Sequence, residues 1–164
     1  MNIESFESII PTALHTQYPL TFTDIEFSGE MFAELSKVGF PEKLKNKMLA
    51  IELEARYKLI DELLKQSGCL QILEIACGFT TRGLSLCNKN SNIRYVEFDL
   101  PQVINLKVEL IKKFSEIPNN LKFVSGNALD KNSLNEALNF FDIKKPIAVI
   151  NQGFMRYLNF EEKE

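Results

Sequence analysis

The chain has 164 residues, 45% of them apolar and 25% charged, with a formal charge of −3 and an isoelectric point near 5.4. That is the size and make-up of one ordinary soluble domain with a core of its own, and its acidic balance excludes the basic surface that nucleic-acid binding requires. No apolar run approaches a membrane span, and the opening residues, MNIESFESII, are acidic where a secretory leader is basic. Cys69, Cys77 and Cys87 are an odd number without metal-ligand spacing, so they read as reduced thiols of a cytoplasmic protein with no bound metal.

Residues 1–40 carry Pro11 and Pro19 and run into Gly39-Phe40-Pro41, which allows only short helices. Phe22, Ile25, Phe27, Met31, Phe32 and Leu35 are many large apolar groups for a free tail, so this arm is expected to pack on the domain formed by 41–164. His15, the only histidine, reads as a surface or capping residue. From Pro41 to Gln66 the pattern becomes a long helix, with proline suited to its first turn and Gly68 as its stop. Met48, Ile51, Ala55, Leu59 and Leu63 recur at three- and four-residue steps as one apolar stripe, while Arg56 and Tyr57 are placed to face whatever occupies the turn that follows.

That turn lies in 71–83, QILEIACGFTTRG. Ile72, Leu73, Ile75 and Ala76 make the short apolar run of a central parallel strand, Gly78 ends it, and a helix follows over 80–87. A residue without Cβ lets a ligand approach the backbone, at the place where the helix presents its unpaired N–H groups. Arg82 stands in the first turn of that helix, where a cation opposes the dipole, and fixing a carboxylate by a forked hydrogen bond would account for it.

A second strand over 93–99 ends in Glu97 and Asp99, the position from which an acid reaches a ribose hydroxyl in doubly wound folds. Pro101 opens a helix to about Glu116, a third strand spans 121–125, and Gly126-Asn127-Ala128-Leu129-Asp130 closes it with polar groups. A helix over 132–141 leads to a fourth strand, 147–150, followed by Asn151-Gln152-Gly153. Four strands alternating with helices predict a Rossmann-like α/β fold, a parallel sheet with right-handed crossovers and an N-terminal helical arm. Periodicity leaves the ligand open, because a dinucleotide, a nucleoside or a flavin can each use a glycine turn and an acid on the next strand. The full glycine fingerprint of NAD enzymes is missing, since its first position is Ala76.

The segments from Ile72 to Gly83, from Tyr95 to Pro101 (YVEFDLP) and from Gly153 to Leu158 (GFMRYL) resemble three successive motifs of the class I S-adenosylmethionine-dependent methyltransferases. More narrowly, they resemble the leucine carboxyl methyltransferase and polyketide O-methyltransferase group, and Ile10-Pro11-Thr12-Ala13-Leu14 and Thr23-Asp24-Ile25 are similar to its N-terminal segment. The resemblance implies S-adenosylmethionine as cofactor, with Ala76 and Gly78 under its methionine part and Arg82 clamping its carboxylate. Asp99 would accept from the ribose hydroxyls, with Glu97 as second candidate. Asn127, beside Ala128, would fall at the adenine position where these enzymes have aspartate, and its carbonyl oxygen can still meet the adenine amino group. Gln152 would stand where they have glutamate. The acceptor implied is a small-molecule or protein carboxyl or hydroxyl group.

Relatives of this type continue through three further strands, and their order 3-2-1-4 would leave the fourth strand here on an open edge, which is liable to pair with another chain. The chain is therefore expected to self-associate, to be complemented by a second polypeptide, or to be poorly stable. The alternative to a methyltransferase, or to its cofactor-binding half, is a non-catalytic module that keeps the fold without turnover.

Overall fold

A computed structural model describes residues 10–42, 46–156 and 158–161. At its centre is a parallel sheet in the order β3-β2-β1-β4, formed by β1 (Gln71–Ile75), β2 (Arg94–Asp99), β3 (Leu121–Ser125) and β4 (Ala148–Asn151). Leu73 of β1 lies between Val96 of β2 and Val149 of β4, so β1 is the strand with the least solvent. Three helices make the crossovers: α5 (Arg82–Lys89), α6 (Pro101–Ile111) and α7 (Lys131–Leu138). The expected Rossmann-like α/β class is the fold observed.

Side chains alternate across this sheet as the pleat requires. Ile72, Tyr95, Leu121 and Ile150 enter one core with Leu84 of α5 and Leu106 and Leu110 of α6. Leu73, Val96 and Phe98 enter a second core on the other face, with Ala137 of α7 and Phe141. Covering on both faces is why the strands read as apolar runs rather than as strict alternation.

The arm forms α1 (Ile10–His15), α2 (Gln17–Leu20) and α3 (Ser28–Lys37). Leu14, Met31 and Leu35 are buried in the first core together with Ile72, although Phe22 is exposed. A second contact joins Leu20 and Ile25 of the arm to Leu53 and Tyr57 of the long helix, α4 (Ala50–Ser67).

That helix differs from its sequence-based reading in two ways. It begins at Ala50 instead of Pro41: Asn46 accepts a hydrogen bond from the Met48 N–H and opens a 3-10 turn over Lys47–Leu49. Residues 43–45 of the expected helix lie outside the described residues. It ends as expected, at Gly68 with φ 63°. Its orientation is the second difference. Leu53 and Tyr57 are buried and Ile60 and Leu64 pack on the core, whereas Met48, Ile51, Leu59 and Leu63 face outward. The helix carries two apolar rows, and the arm, by packing on Leu53 and Tyr57, selects the row that periodicity cannot distinguish.

Among the described residues no helix is long and apolar enough to cross a membrane.

Candidate functional site

Beyond β1 the chain turns through two left-handed residues, Ala76 and Gly78, both with φ 53°. Glycine adopts this freely, while an alanine held there stores about 1–3 kcal/mol of strain, which the surrounding contacts must offset. The contacts are specific. Gly78 N–H donates to Asp99 Oδ2 at 2.7 Å, Leu100 N–H donates to Asp99 Oδ1 at 2.7 Å, and Cys77 N–H donates to the Phe98 carbonyl at 3.2 Å. One carboxylate therefore pins the ends of β1 and β2 together. Burial raises the pKa of Asp99 above its ordinary value, and the two backbone donors oppose that rise only in part.

This turn borders a hollow of about 1160 Å³ at the carboxyl edge of the sheet, where ligands of open α/β folds sit. Ala76, Gly78, Asp99, Asn127, Ala128 and Gln152 all line it, so six of the eight residues singled out in the sequence are brought to one place. Asn127 Oδ1 already accepts the Leu129 N–H at 3.0 Å, which fixes the amide in the loop after β3. The arm closes one side: a Cβ built on Gly78 would stand 3.5 Å from Ala13 Cβ, and His15 and Thr16 also line the hollow. His15 is thus at the site and not merely on the surface.

Arg82 does not reach the hollow, which corrects the role expected for it. Its side chain is 0% exposed and its guanidinium is fully engaged by the protein. Nε donates to Asp61 Oδ1 at 2.8 Å, Nη1 to Glu74 Oε1 at 2.6 Å, and Nη2 to the Tyr57 carbonyl at 3.4 Å and Gln152 Oε1 at 3.3 Å. The group also lies 3.9 Å from the centre of the Tyr57 ring. Burial alone would lower its pKa, but Glu74 and its neighbours hold it above the ordinary value. Two carboxylates, not a ligand, account for a cation at this helix start. Glu74 Oε2 in turn accepts from Tyr95 Oη at 2.8 Å, completing a buried network that joins α4, β1, β2 and the segment after β4.

Glu97 is the second correction. It points to the same side of β2 as Asp99 but two residues earlier, where α5 lies directly over the strand: a Cβ on Gly83 would stand 2.5 Å from Glu97 Oε1. The carboxylate is fully buried and pairs with Lys107 of α6 at 2.5 Å. Burial pushes its pKa up from 4.5 to about 7, against the opposing pull of Lys107. A carboxyl raised in this way contributes stability that is complete below pH 4.5 and lost as pH rises through about 7. The urea midpoint of the wild type is therefore expected to fall across that window relative to a Glu97→Gln/Lys107→Met double variant; parallel profiles would contradict the assignment.

A cation that does line the hollow is Arg56 of α4. Its Nη1 meets Glu52 Oε1 at 3.2 Å at the surface, and a Cβ on Gly153 would stand 4.0 Å from its Nη2. Neighbouring positions on a helix diverge by about 100°, so Arg56 turns to the hollow while Tyr57 turns inward to Arg82. Glu74 and Arg156 line the hollow as well. The signal that could have found Glu74 is a charged residue midway along an otherwise apolar strand, which demands a buried partner.

Cys77 and Cys87 are buried free thiols, and burial pushes Cys87 up to about 12, leaving it unreactive at neutral pH. Among the described residues no group of three histidine, cysteine or acidic side chains is placed to hold a metal.

No curated protein matches the chain. The family model described as leucine carboxyl methyltransferase matches residues 25–164, a span that takes in the end of the arm, α4, all four strands and most of the wall of the hollow. The chain belongs to the leucine carboxyl methyltransferase family.

Proposed function

We propose that the chain binds S-adenosylmethionine in the hollow and transfers its methyl group to a carboxyl or hydroxyl oxygen. The observation that carries this reading is the convergence of the Gly78 turn, Asp99 and Arg56 on one cavity at the carboxyl edge of the sheet. The residues present fit the cofactor. Left-handed backbone at Ala76 and Gly78 exposes the main chain to the methionine part, and Asp99 keeps lone pairs beyond its two backbone bonds with which to accept from ribose hydroxyls. Asn127 and Ala128 stand at the adenine end, and Gln152 is held in the wall by Arg82. Arg56 takes the part first given to Arg82, because its guanidinium faces the hollow beside Gly153 and, among the described residues, its ion pair is with Glu52 at the surface.

When bound, the cofactor supplies a methyl group already activated by its sulfonium, so a carboxylate acceptor asks little of the protein beyond alignment and exclusion of water. The hollow, at about 1160 Å³, exceeds the roughly 300–1,000 Å³ of single-ligand pockets, which leaves room for an acceptor beside the cofactor. Leu20, Leu49, Leu53 and Phe154 give that remaining space an apolar lining, with His15 and Arg156 as its polar groups.

Thermal denaturation with S-adenosylhomocysteine tests the reading. This product of methyl transfer is expected to raise Tm in the wild type and to bind about tenfold or more weakly to Asp99→Ala, the loss of a charge-assisted hydrogen bond. NADH is expected to leave Tm unchanged. No shift with S-adenosylhomocysteine at millimolar concentration would favour a member of the family that has kept the fold without the cofactor.

A further inference from the structure

The amino-acid end of the cofactor proposed for the hollow carries an ammonium as well as a carboxylate, and Arg56 answers only the carboxylate. An ammonium taken out of water needs an acceptor, and a side-chain carboxylate is the strongest one a protein offers. Among the described residues three acids line the hollow: Glu52, Glu74 and Asp99. Two of them are already committed. Glu74 is 1% exposed, with Oε1 on Arg82 and with Oε2 accepting from Tyr95 Oη at 2.8 Å and from Thr80 Oγ1 at 3.3 Å. Asp99 holds the Gly78 and Leu100 N–H groups at the end of β2. Gln152 is uncharged, and its Oε1 already accepts from Arg82 Nη2 at 3.3 Å, so an ammonium there would meet an oxygen that a guanidinium shares.

Glu52 remains. Leu49, Glu52, Leu53 and Arg56 recur at three- and four-residue steps, so one stripe of α4 and of the turn before it faces the hollow. Glu52 Oε1 meets Arg56 Nη1 at 3.2 Å, one helical turn away. Pairs at this spacing are common on helix surfaces, and an acid in the first turn is favoured by the dipole. What sets this pair apart is that both members line the cavity and that its cation is the one the ligand carboxylate needs. A carboxylate that reaches Arg56 also comes close to Glu52, and two like charges at one guanidinium repel. A positive charge on the same ligand removes that conflict.

We propose that Glu52 holds the α-ammonium of the cofactor's amino-acid end while Arg56 holds its carboxylate, so that the pair selects a zwitterion over a plain carboxylate. This rests on the reading of the hollow as an S-adenosylmethionine site. At 60% and 36% exposure, Glu52 and Arg56 each exchange water for an opposite charge when the ligand enters.

Calorimetric titration with three ligands tests it. S-adenosylhomocysteine carries both charges, 5′-S-(3-carboxypropyl)-5′-thioadenosine keeps only the carboxylate, and 5′-S-(3-aminopropyl)-5′-thioadenosine keeps only the ammonium. The wild type is expected to bind the carboxypropyl compound about tenfold more weakly than S-adenosylhomocysteine, the loss of a hydrogen bond between charged groups. Glu52→Gln is expected to bind S-adenosylhomocysteine and the aminopropyl compound about tenfold more weakly than the wild type does, and the carboxypropyl compound at least as tightly. A merely structural role for Glu52 would not produce that crossing. The side chain is largely exposed, so the variant should keep a cooperative melt near that of the wild type. S-adenosylhomocysteine bound equally by wild type and Glu52→Gln, or an equal loss for all three ligands, would overturn the proposal and leave cofactor binding standing. No binding of S-adenosylhomocysteine by the wild type would overturn both.

Discussion

Arg82→Ala is expected to lower the unfolding free energy by about 3–5 kcal/mol, the loss seen when one partner of a buried ion pair is removed. The cost arises from what remains behind. Glu74 is 1% exposed and, among the described residues, would keep only Tyr95 and Thr80 as side-chain donors, and the chain would lose the link from α4 to β1 and to Gln152. Asp61, at 35% exposure, can recover water and adds little. Arg82→Lys should recover only part of the loss, because one ammonium nitrogen cannot stand at the three separate positions from which Nε, Nη1 and Nη2 donate. Urea denaturation measures both. If Arg82→Ala cost less than about 1 kcal/mol, too little for a broken buried pair, and still abolished ligand binding, Arg82 would be a clamp and not a strut.

Arg56→Ala should do the reverse. It is expected to weaken S-adenosylhomocysteine binding about 10- to 100-fold, the 1.5–3 kcal/mol of hydrogen bonds to a charged group, while stability changes by under about 0.5 kcal/mol because its pair with Glu52 is solvated. Calorimetric titration separates the terms. 5′-Methylthioadenosine, which lacks the amino-acid carboxylate, should bind wild type and variant alike. Equal losses for both ligands would mean that Arg56 shapes the hollow and does not meet the carboxylate.

The parts of the fold that depend on local chemistry were readable from the residues. Gly78 and Gly68 mark left-handed turns, the apolar runs around Leu73 and Val96 mark strands covered on both faces, and Pro101 opens α6. The lining of the hollow was readable where a residue stands at or just after a strand end, as with Asp99, Asn127 and Gln152, since topology alone delivers those positions to the carboxyl edge. What could not be read was long-range. The face of α4 is chosen by Leu20 and Ile25, some thirty residues earlier, and Arg82 finds its carboxylates on α4 and β1. Glu97 differs from Asp99 only in lying beneath α5, which no spacing within β2 reveals.

A crystal structure of the chain grown with S-adenosylhomocysteine tests the central claim most directly. The ribose hydroxyls are expected at Asp99 and the amino-acid carboxylate at Arg56, with Arg82 still closed on Glu74 and Asp61. A ligand carboxylate held by Arg82, or a ligand seated away from the Gly78 turn, would contradict it.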